Sequence, residues 1–408
     1  MSARPTRKPH ALVLSRNYPN PEFPTLGLWA ERMVAAAAPI ADCTVVAPVP
    51  WTPPLLPHAD SQRYRRVPRH RHAASGPVHH PRVLIPPGHR FHAHDARLQF
   101  PMIRRAVLDI HRIRPIDLIH AHLIYPDGVM AARLGAELGV PVITTEHALW
   151  QPWLDQWPAI RRQVLEAARQ ISTITVVSAA MERSVREVLG TGARVERLPN
   201  LVDDTVFRLP HPDERRDPNQ LLFVGAVRHV KGLDVLVRAL PSLVTQRPAL
   251  RLVVIGEAFY GQWRRDEADV RRLCQEVGVA DRVDFVGRRS SAAVAEAMRT
   301  SALLVVPSRR ESFSAVAIEA LASGTPVVAT RCGGPEEFLS EATGGLVPVE
   351  DPAALAEAIG RVLAAPERFD LTALRQTAID SYGMASGTTR IGTLYHPLLT
   401  GDAESNTR

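Results

Sequence analysis

The sequence predicts an α/β protein of two doubly wound parallel sheets in tandem, and three observations predict it. Short apolar runs alternate with amphipathic helical stretches from end to end, the rhythm of parallel strands covered by helices. At 408 residues the chain exceeds the size at which a single hydrophobic core stops growing, so two units of about 200 residues are expected. A polar, proline-rich stretch from Arg208 to Asn219 interrupts the rhythm, which then starts again.

In the first half, strands are expected at Ala11 to Ser15, Thr44 to Ala47, Asp117 to Ala121, Val142 to Thr145, Ile174 to Ser178 and Val195 to Leu198. Helices fall between them at Leu28 to Ala38, Leu98 to Arg114, Gly128 to Leu138, Ala159 to Gln170 and Ala179 to Leu189. Between Pro48 and Phe100 the alternation fails. Runs such as Arg63-Tyr-Arg-Arg-Val-Pro-Arg-His-Arg-His72 read there as a long exposed excursion. In the second half, strands are expected at Leu221 to Val224, Leu252 to Ile255, Val283 to Val286, Leu303 to Val306 and Val327 to Ala329. The expected organisation is a first domain over 1–207, a linker over 208–219, a second domain over 220–380 and a closing segment over 381–400. Open α/β sheets bind ligands beyond the carboxyl ends of their strands. Two such sheets facing one another across a cleft follow.

Composition narrows the setting. Residues 1–210 hold 26 Lys and Arg against 17 Asp and Glu, while the remainder holds 23 against 25, so the net charge of +7 resides in the first half. That half is expected to meet something anionic, a phosphorylated acceptor or the inner face of a membrane. A solvated face in an Arg-rich chain is the alternative. Nucleic acid is not expected as a partner. Cys43, Cys274 and Cys332 form neither a disulfide framework nor a zinc-ligand spacing. The first apolar run is too short for a signal sequence or a membrane span. A cytoplasmic location is therefore expected, with peripheral contact at the inner face of the membrane. Of the 49 basic residues, Lys8 and Lys231 alone are lysines. A lysine kept in a chain that otherwise takes Arg points to a need for a compact ammonium; chance retention is the alternative.

The chemistry gathers in Pro307-Ser-Arg-Arg-Glu-Ser-Phe-Ser-Ala-Val-Ala-Ile-Glu-Ala-Leu-Ala-Ser-Gly324. A strand should end at Pro307, and a helix should start near Ser314 and stop at Gly324. Glu311 would precede the helix and Glu319 would lie in its second turn, with the positive helix end offered to an anion such as a diphosphate. Both carboxylates could instead be surface residues, although one within the apolar run around Glu319 would be costly unpaired. Lys231 lies in Phe223-Val-Gly-Ala-Val-Arg-His-Val-Lys-Gly232, a strand and glycine turn leading into a helix, with Arg228 as a second positive group. An ammonium about 4 Å from a phosphate is worth roughly 4 kcal/mol at an effective dielectric of 20. No Asp-x-Asp triplet occurs, so a divalent ion is not expected.

These residues carry a resemblance. Glu311 and Glu319 at their spacing, Lys231-Gly232, Glu319-Ala-Leu-Ala-Ser-Gly-Thr-Pro-Val-Val-Ala-Thr330 and Gly333-Gly-Pro-Glu-Glu337 resemble retaining glycosyltransferase family 4, glycosyl transferases group 1, of the GT-B fold. In the first half Gly27-Leu-Trp-Ala-Glu-Arg32, Asp117-Leu-Ile-His-Ala-His122, Thr145-Glu-His147 and Pro199-Asn-Leu-Val-Asp203 are similar to that family's weaker signatures. The likeness runs from about Ala11 to Leu398. It implies a GT-B pair of Rossmann-like domains, the first on the acceptor side, the second binding the nucleotide sugar, with the closing segment returning to the first. It implies transfer, with retention, of a hexosyl-type sugar from a UDP- or GDP-linked donor to a polysaccharide, glycolipid or small-molecule acceptor, without a cofactor.

By the same resemblance, His147, Lys231 and Glu311 would be catalytic. Lys231 would hold the diphosphate, Glu319 the ribose and Glu311 the sugar hydroxyls, with backbone N–H groups of Phe313, Ser314 and Ala315 cradling phosphate or sugar. Gly27 would lie beside the phosphate, His147 would reach the donor sugar, and Gly225, Arg228 and Arg288 complete the donor set. Three departures stand out: Ala226 where the family usually has Arg, Ser314 where it commonly has Gly, and Leu201 for a frequent Gly. His147-Ala-Leu-Trp-Gln-Pro-Trp-Leu-Asp-Gln-Trp157 places Trp150 and Trp153 as acceptor-side candidates, since aromatic faces stack on sugar rings; loop packing is the alternative. A non-catalytic nucleotide-sugar-binding protein and a GT-B sugar-nucleotide epimerase are the competing functions.

Overall fold

The structure, a computed structural model, describes residues 7–51, 61–85, 89–150, 153–190, 192–258 and 264–400. The chain forms two compact units, Met1–Asn200 with Gly387–Arg408, and Leu201–Ser386.

The strands of the first unit are β1 (His10–Leu14), β2 (Asp42–Val46), β3 (Val49–Trp51), β4 (His70–Ala73), β5 (Gly76–His79), β6 (Arg82–Leu84), β7 (Leu118–His122), β8 (Val142–Glu146), β9 (Thr173–Val176) and β10 (Val195–Arg197). Eight of them form one sheet in the order β10-β9-β8-β7-β1-β2-β5-β4, and β3 pairs with β6. Pairing is parallel except between β4 and β5. β1, β7 and β8 are buried along their whole length, as expected for a sheet covered on both faces. Strand order reverses between β1 and β7, so the loops after these strands open at the topological switch point.

The second unit holds β11 (Asp217–Val224), β12 (Arg251–Ile255), β13 (Val283–Gly287), β14 (Ser301–Val306), β15 (Val327–Thr330) and β16 (Gly344–Val347). All are parallel, in the order β13-β12-β11-β14-β15-β16. Here the switch point lies between β11 and β14. The loops that leave those two strands carry Lys231 and Glu311.

Four expectations need correction. The stretch from Pro48 to Phe100 is not one bare excursion: it contributes β3 to β6 and a helix at Ser61–Arg66. Half-buried edge strands such as β4 carry no apolar run to read. The units part after Asn200 rather than after residue 207, because Val202 N–H donates to Tyr382 C=O at 2.8 Å and Arg375 grips the carbonyls of Asp204 and Phe207. β11 starts at Asp217, which shortens the linker. The return to the first unit begins at Gly387, not Ser381; Thr388 Oγ1 then donates to Ala36 C=O and Tyr395 pairs with His120. β16 escaped notice because its two glycines dilute the apolar pattern. Among the described residues, no helix is long and apolar enough to cross a membrane.

Candidate active site

In the second unit the site is built by two close approaches of backbone. β11 ends at Val224, and a single 3-10 turn at His229–Lys231 follows. Gly232 closes that turn at φ +65, and a Cβ there would stand 1.9 Å from the carbonyl oxygen of Pro307. Glycine alone tolerates both the left-handed dihedral and the contact. The turn therefore lies directly on the loop leaving β14. Within that loop Glu311 N–H donates to Cys332 C=O at 2.9 Å, and Gly334 N–H donates to Glu311 C=O at 3.1 Å. Gly334 is held so near that a Cβ would meet Phe313 Cα at 2.4 Å.

The consequence is an ion pair: Lys231 Nζ donates to Glu311 Oε1 at 2.6 Å, and Ser308 Oγ donates to the same oxygen at 2.7 Å. The carboxylate side chain is 9% exposed and the lysine 29%, so the ammonium is the partner that faces outward. Close by, the helix Ala315–Ala322 begins. Its buried face holds Ala317, Ile318, Ala320 and Leu321, whereas Ala315, Val316 and Glu319 are half-exposed. Glu319 stands one turn after Ala315 on this open face. The feared burial cost does not arise, since the apolar residues around Glu319 in sequence point the other way. Ser314 caps the helix at φ +74, and its buried Oγ has no hydrogen-bond partner. The position thus demands the left-handed conformation that glycine adopts freely, and serine meets it at a cost of about 1 kcal/mol. Phe313 anchors the loop by packing its buried ring against Phe338 and Tyr382, centroids 5.8 and 5.3 Å away.

Other members of the expected donor set lie elsewhere. Gly225 N–H donates to Ile255 C=O at 3.0 Å, next to the carboxyl end of β12. Arg228 lines a cavity of about 280 Å³ with His229, Asp234, Arg238 and Asp266, and none of Lys231, Glu311 and Glu319 borders it. Arg288 forms an ion pair with Glu257 at 2.8 Å. Two residues unnoticed in the sequence hold the Lys231 turn: Arg309 donates to both oxygens of Asp234 at 2.8 Å. Burial opposes ionisation of Asp234, but the hydrogen bonds and charge of Arg309 outweigh it and hold the carboxyl below its ordinary range. The sequence signal was present only as an arginine two places before Glu311 and an acid two places after Gly232.

In the first unit, Gly27 has φ +69 and lies so near the loop after β1 that a Cβ would meet Asn17 C=O at 1.9 Å; it caps the helix Leu28–Ala37. His147 follows β8 with both ring nitrogens engaged: Nδ1 donates to Asn200 Oδ1 at 3.0 Å, so Nε2 accepts from His122 Nδ1 at 3.1 Å. Trp29 packs against it, ring centroids 3.7 Å apart and planes tilted by 31°. Burial keeps His147 neutral, pushing its pKa down to about 3, while the Asn200 bond opposes the shift. Trp150 is corrected as an acceptor-side candidate. It is 1% exposed, and its Nε1 donates to Glu146 Oε2 at 2.9 Å, so neither ring face is open. Glu146 also accepts from the N–H groups of Ile124, His147 and Ala148, and so organises the loops after β7 and β8. Trp153 is half-buried beside Tyr125 and His92, centroids 6.2 and 6.3 Å away. Among the described residues no cluster of three or more His, Cys, Asp or Glu is arranged to hold a metal.

Two parallel α/β units in tandem, the second with an ammonium and a helix amino end at its switch point, define a protein of the GT-B class. The family model described as glycosyl transferases group 1 matches residues 209–376, and that of glycosyltransferase family 4 matches residues 41–206. The chain is similar to D-inositol 3-phosphate glycosyltransferase 1 of Catenulispora acidiphila, 31% identical over 319 residues that cover 70% of this chain and 73% of that one. The match spans 59% and 60% of the length of two other proteins called D-inositol 3-phosphate glycosyltransferase. In fold it is similar to sucrose-phosphate synthase from Thermosynechococcus elongatus, with a TM-score of 0.75 and 23% identity over 97% of this chain and 100% of that one. Anabaena HepE, solved with UDP and glucose, gives a TM-score of 0.72 at 17% identity over 94% of this chain and 99% of its own. The chain belongs to glycosyltransferase family 4.

Proposed function

We propose that the protein is a retaining, metal-independent hexosyltransferase that draws on a nucleotide diphosphate sugar. The observation that carries the reading is the Lys231 ammonium, fixed beside Glu311 and next to the amino end of the helix Ala315–Ala322. As the bond from the anomeric carbon to the diphosphate breaks, negative charge grows on the leaving oxygen. Fixed positive groups stabilise that charge more than they stabilise the resting donor. Lys231 and the N–H groups of Phe313, Ser314 and Ala315 would take the diphosphate, Glu319 the ribose hydroxyls, and Glu311 the sugar hydroxyls. Gly225 and the backbone near Arg288 would serve the base. Arg228, which lines a separate cavity, is the weaker member of this set, and Arg288 would serve beside its partner Glu257. Glu311 Oε1 already accepts hydrogen bonds from Lys231 and Ser308, which makes the carboxylate a poor nucleophile. We therefore favour attack of the acceptor hydroxyl on the face from which the diphosphate departs, its proton passing to the leaving phosphate oxygen.

The structure of HepE with UDP and glucose supports UDP as the nucleotide to try first, with GDP beside it. Acceptors to try are polysaccharides, glycolipids and small phosphorylated molecules, the last suggested by the basic first half and by the name of the inositol phosphate relatives. A cytoplasmic site of action, with the first unit against an anionic membrane face, fits the same charge. On the first unit we assign Gly27 to the diphosphate and Trp153 to the acceptor side; His147 is assigned to the sugar, which it would reach by exchanging its bond to His122 or Asn200 for one to a hydroxyl. Replacing Lys231 with Ala should lower donor turnover about a hundredfold or more, measured as release of nucleoside diphosphate with and without acceptor. Unchanged turnover would overturn the reading, and nuclear magnetic resonance of the product must give the donor's anomeric configuration.

A further inference from the structure

We propose that Arg309 is the positioning residue of the donor site: it fixes the turn that carries Lys231 at its working distance from Glu311 without touching substrate. The inference rests on the reading of Lys231 as the cation for the diphosphate.

Arg309 lies two residues before Glu311, and its side chain is 15% exposed. Nη1 donates to Asp234 Oδ1 and Nη2 to Asp234 Oδ2, both at 2.8 Å. On its other edge, Nε donates to one oxygen of Glu350, and Nη2 to the second at 3.1 Å. Nη1 also donates to His229 C=O. A guanidinium has five N–H groups, and here each has an acceptor. The backbone N–H of Arg309 adds a bond to Val230 C=O at 2.8 Å.

His229 and Val230 are the two residues ahead of Lys231, and Asp234 opens the helix Leu233–Gln246 just beyond it. One residue therefore holds the turn on both sides of the lysine. Glu350, whose φ is +59, ties in the chain beyond β16 as a third segment. Two consequences follow. With all five N–H groups taken by protein acceptors, Arg309 has no donor to offer a phosphate, so its influence must pass through Lys231. The arrangement also demands a planar fork: an ammonium directs three donors from one nitrogen and cannot serve two carboxylates side by side and a carbonyl. The chain's general preference for Arg says nothing at this position; the five acceptors do.

The test titrates UDP and GDP calorimetrically into wild type, Arg309→Lys, Lys231→Ala and the double variant, with donor turnover and melting temperature measured on each. Arg309→Lys should melt within a few degrees of wild type, weaken nucleotide binding about tenfold and lower donor turnover between tenfold and a hundredfold, as expected of a displacement of about 1 Å. In the Lys231→Ala background the same change should add less than twofold, because the group it positions is gone. A double variant weakened by the product of the two single effects overturns the proposal, as does normal binding and turnover by Arg309→Lys. If Lys231→Ala binds and turns over like wild type, or if wild type binds neither nucleotide, the donor-site reading itself fails. Should Arg309→Lys not fold, Asp234→Asn, which leaves one acceptor oxygen, takes its place under the same criterion.

Discussion

Gly232→Ala isolates the contact that assembles the site. The added Cβ would stand 1.9 Å from Pro307 C=O, whereas real Cβ contacts essentially never fall below 3.0 Å. The Lys231 turn and the loop leaving β14 must then part by at least about 1.1 Å, the difference between those distances. Two costs add: about 1 kcal/mol for an L-residue at φ +65 and about 1–3 kcal/mol for forcing packed backbone apart. For a unit of this size each kcal/mol moves the melting temperature by about 2–4 °C, so a fall of roughly 5–15 °C is expected. Gly139→Ala is the control, because Gly139 has φ +66 with nothing within 4 Å and incurs the dihedral cost alone. Lys231 and Glu311 meet at 2.6 Å, and a shift of about 1 Å should lower donor turnover about a hundredfold at temperatures where the variant stays folded. The assay pairs calorimetric melting with nucleoside diphosphate release. If Gly232→Ala melts no lower than Gly139→Ala does and turns over donor normally, the close approach does not build the site.

Two further outcomes concern the first unit. Burial raises the carboxyl of Asp127 to about 7, with Arg16 opposing and Glu146 reinforcing the shift, while Arg16 N–H donates to Oδ2 at 2.7 Å and Oδ1 has no partner. Below about pH 3 the acid is neutral in folded and unfolded chain alike; as pH rises from about 4 to 7 the unfolded chain is ionised while the folded one is not, and the folded state loses up to about 1.4 kcal/mol per pH unit. Asp127→Asn, which keeps an acceptor for Arg16, should therefore melt higher than wild type at pH 8 and equal to it near pH 3; an advantage independent of pH would show that ionisation is not the cause. Trp153→Ala should weaken acceptor binding at least severalfold with an unchanged melting temperature, and unaltered acceptor KM would remove Trp153 from the acceptor side.

The linear order of residues determined much of this protein. Strands buried on both faces must be apolar runs, so all but one of the second unit's strands could be placed from composition alone. Lys231 stood out as a lone lysine beyond the tail, and Glu311 and Glu319 stood out by spacing and by resemblance. The two glycines that matter most, Gly27 and Gly232, were visible as letters but not as contacts; the backbone oxygens at 1.9 Å belong to Asn17 in the preceding loop and to Pro307 far along the chain. Strand order decided the rest. It is set by which strands pair across long crossovers, and it placed the loops after β11 and β14 side by side. Pairing of that kind leaves no local pattern, which is why Arg309, Asp234 and Glu350 escaped notice as a group although each is plain in the sequence. Burial likewise separated Trp150, locked on Glu146, from Trp153, since identical side chains three residues apart differ only in what packs around them.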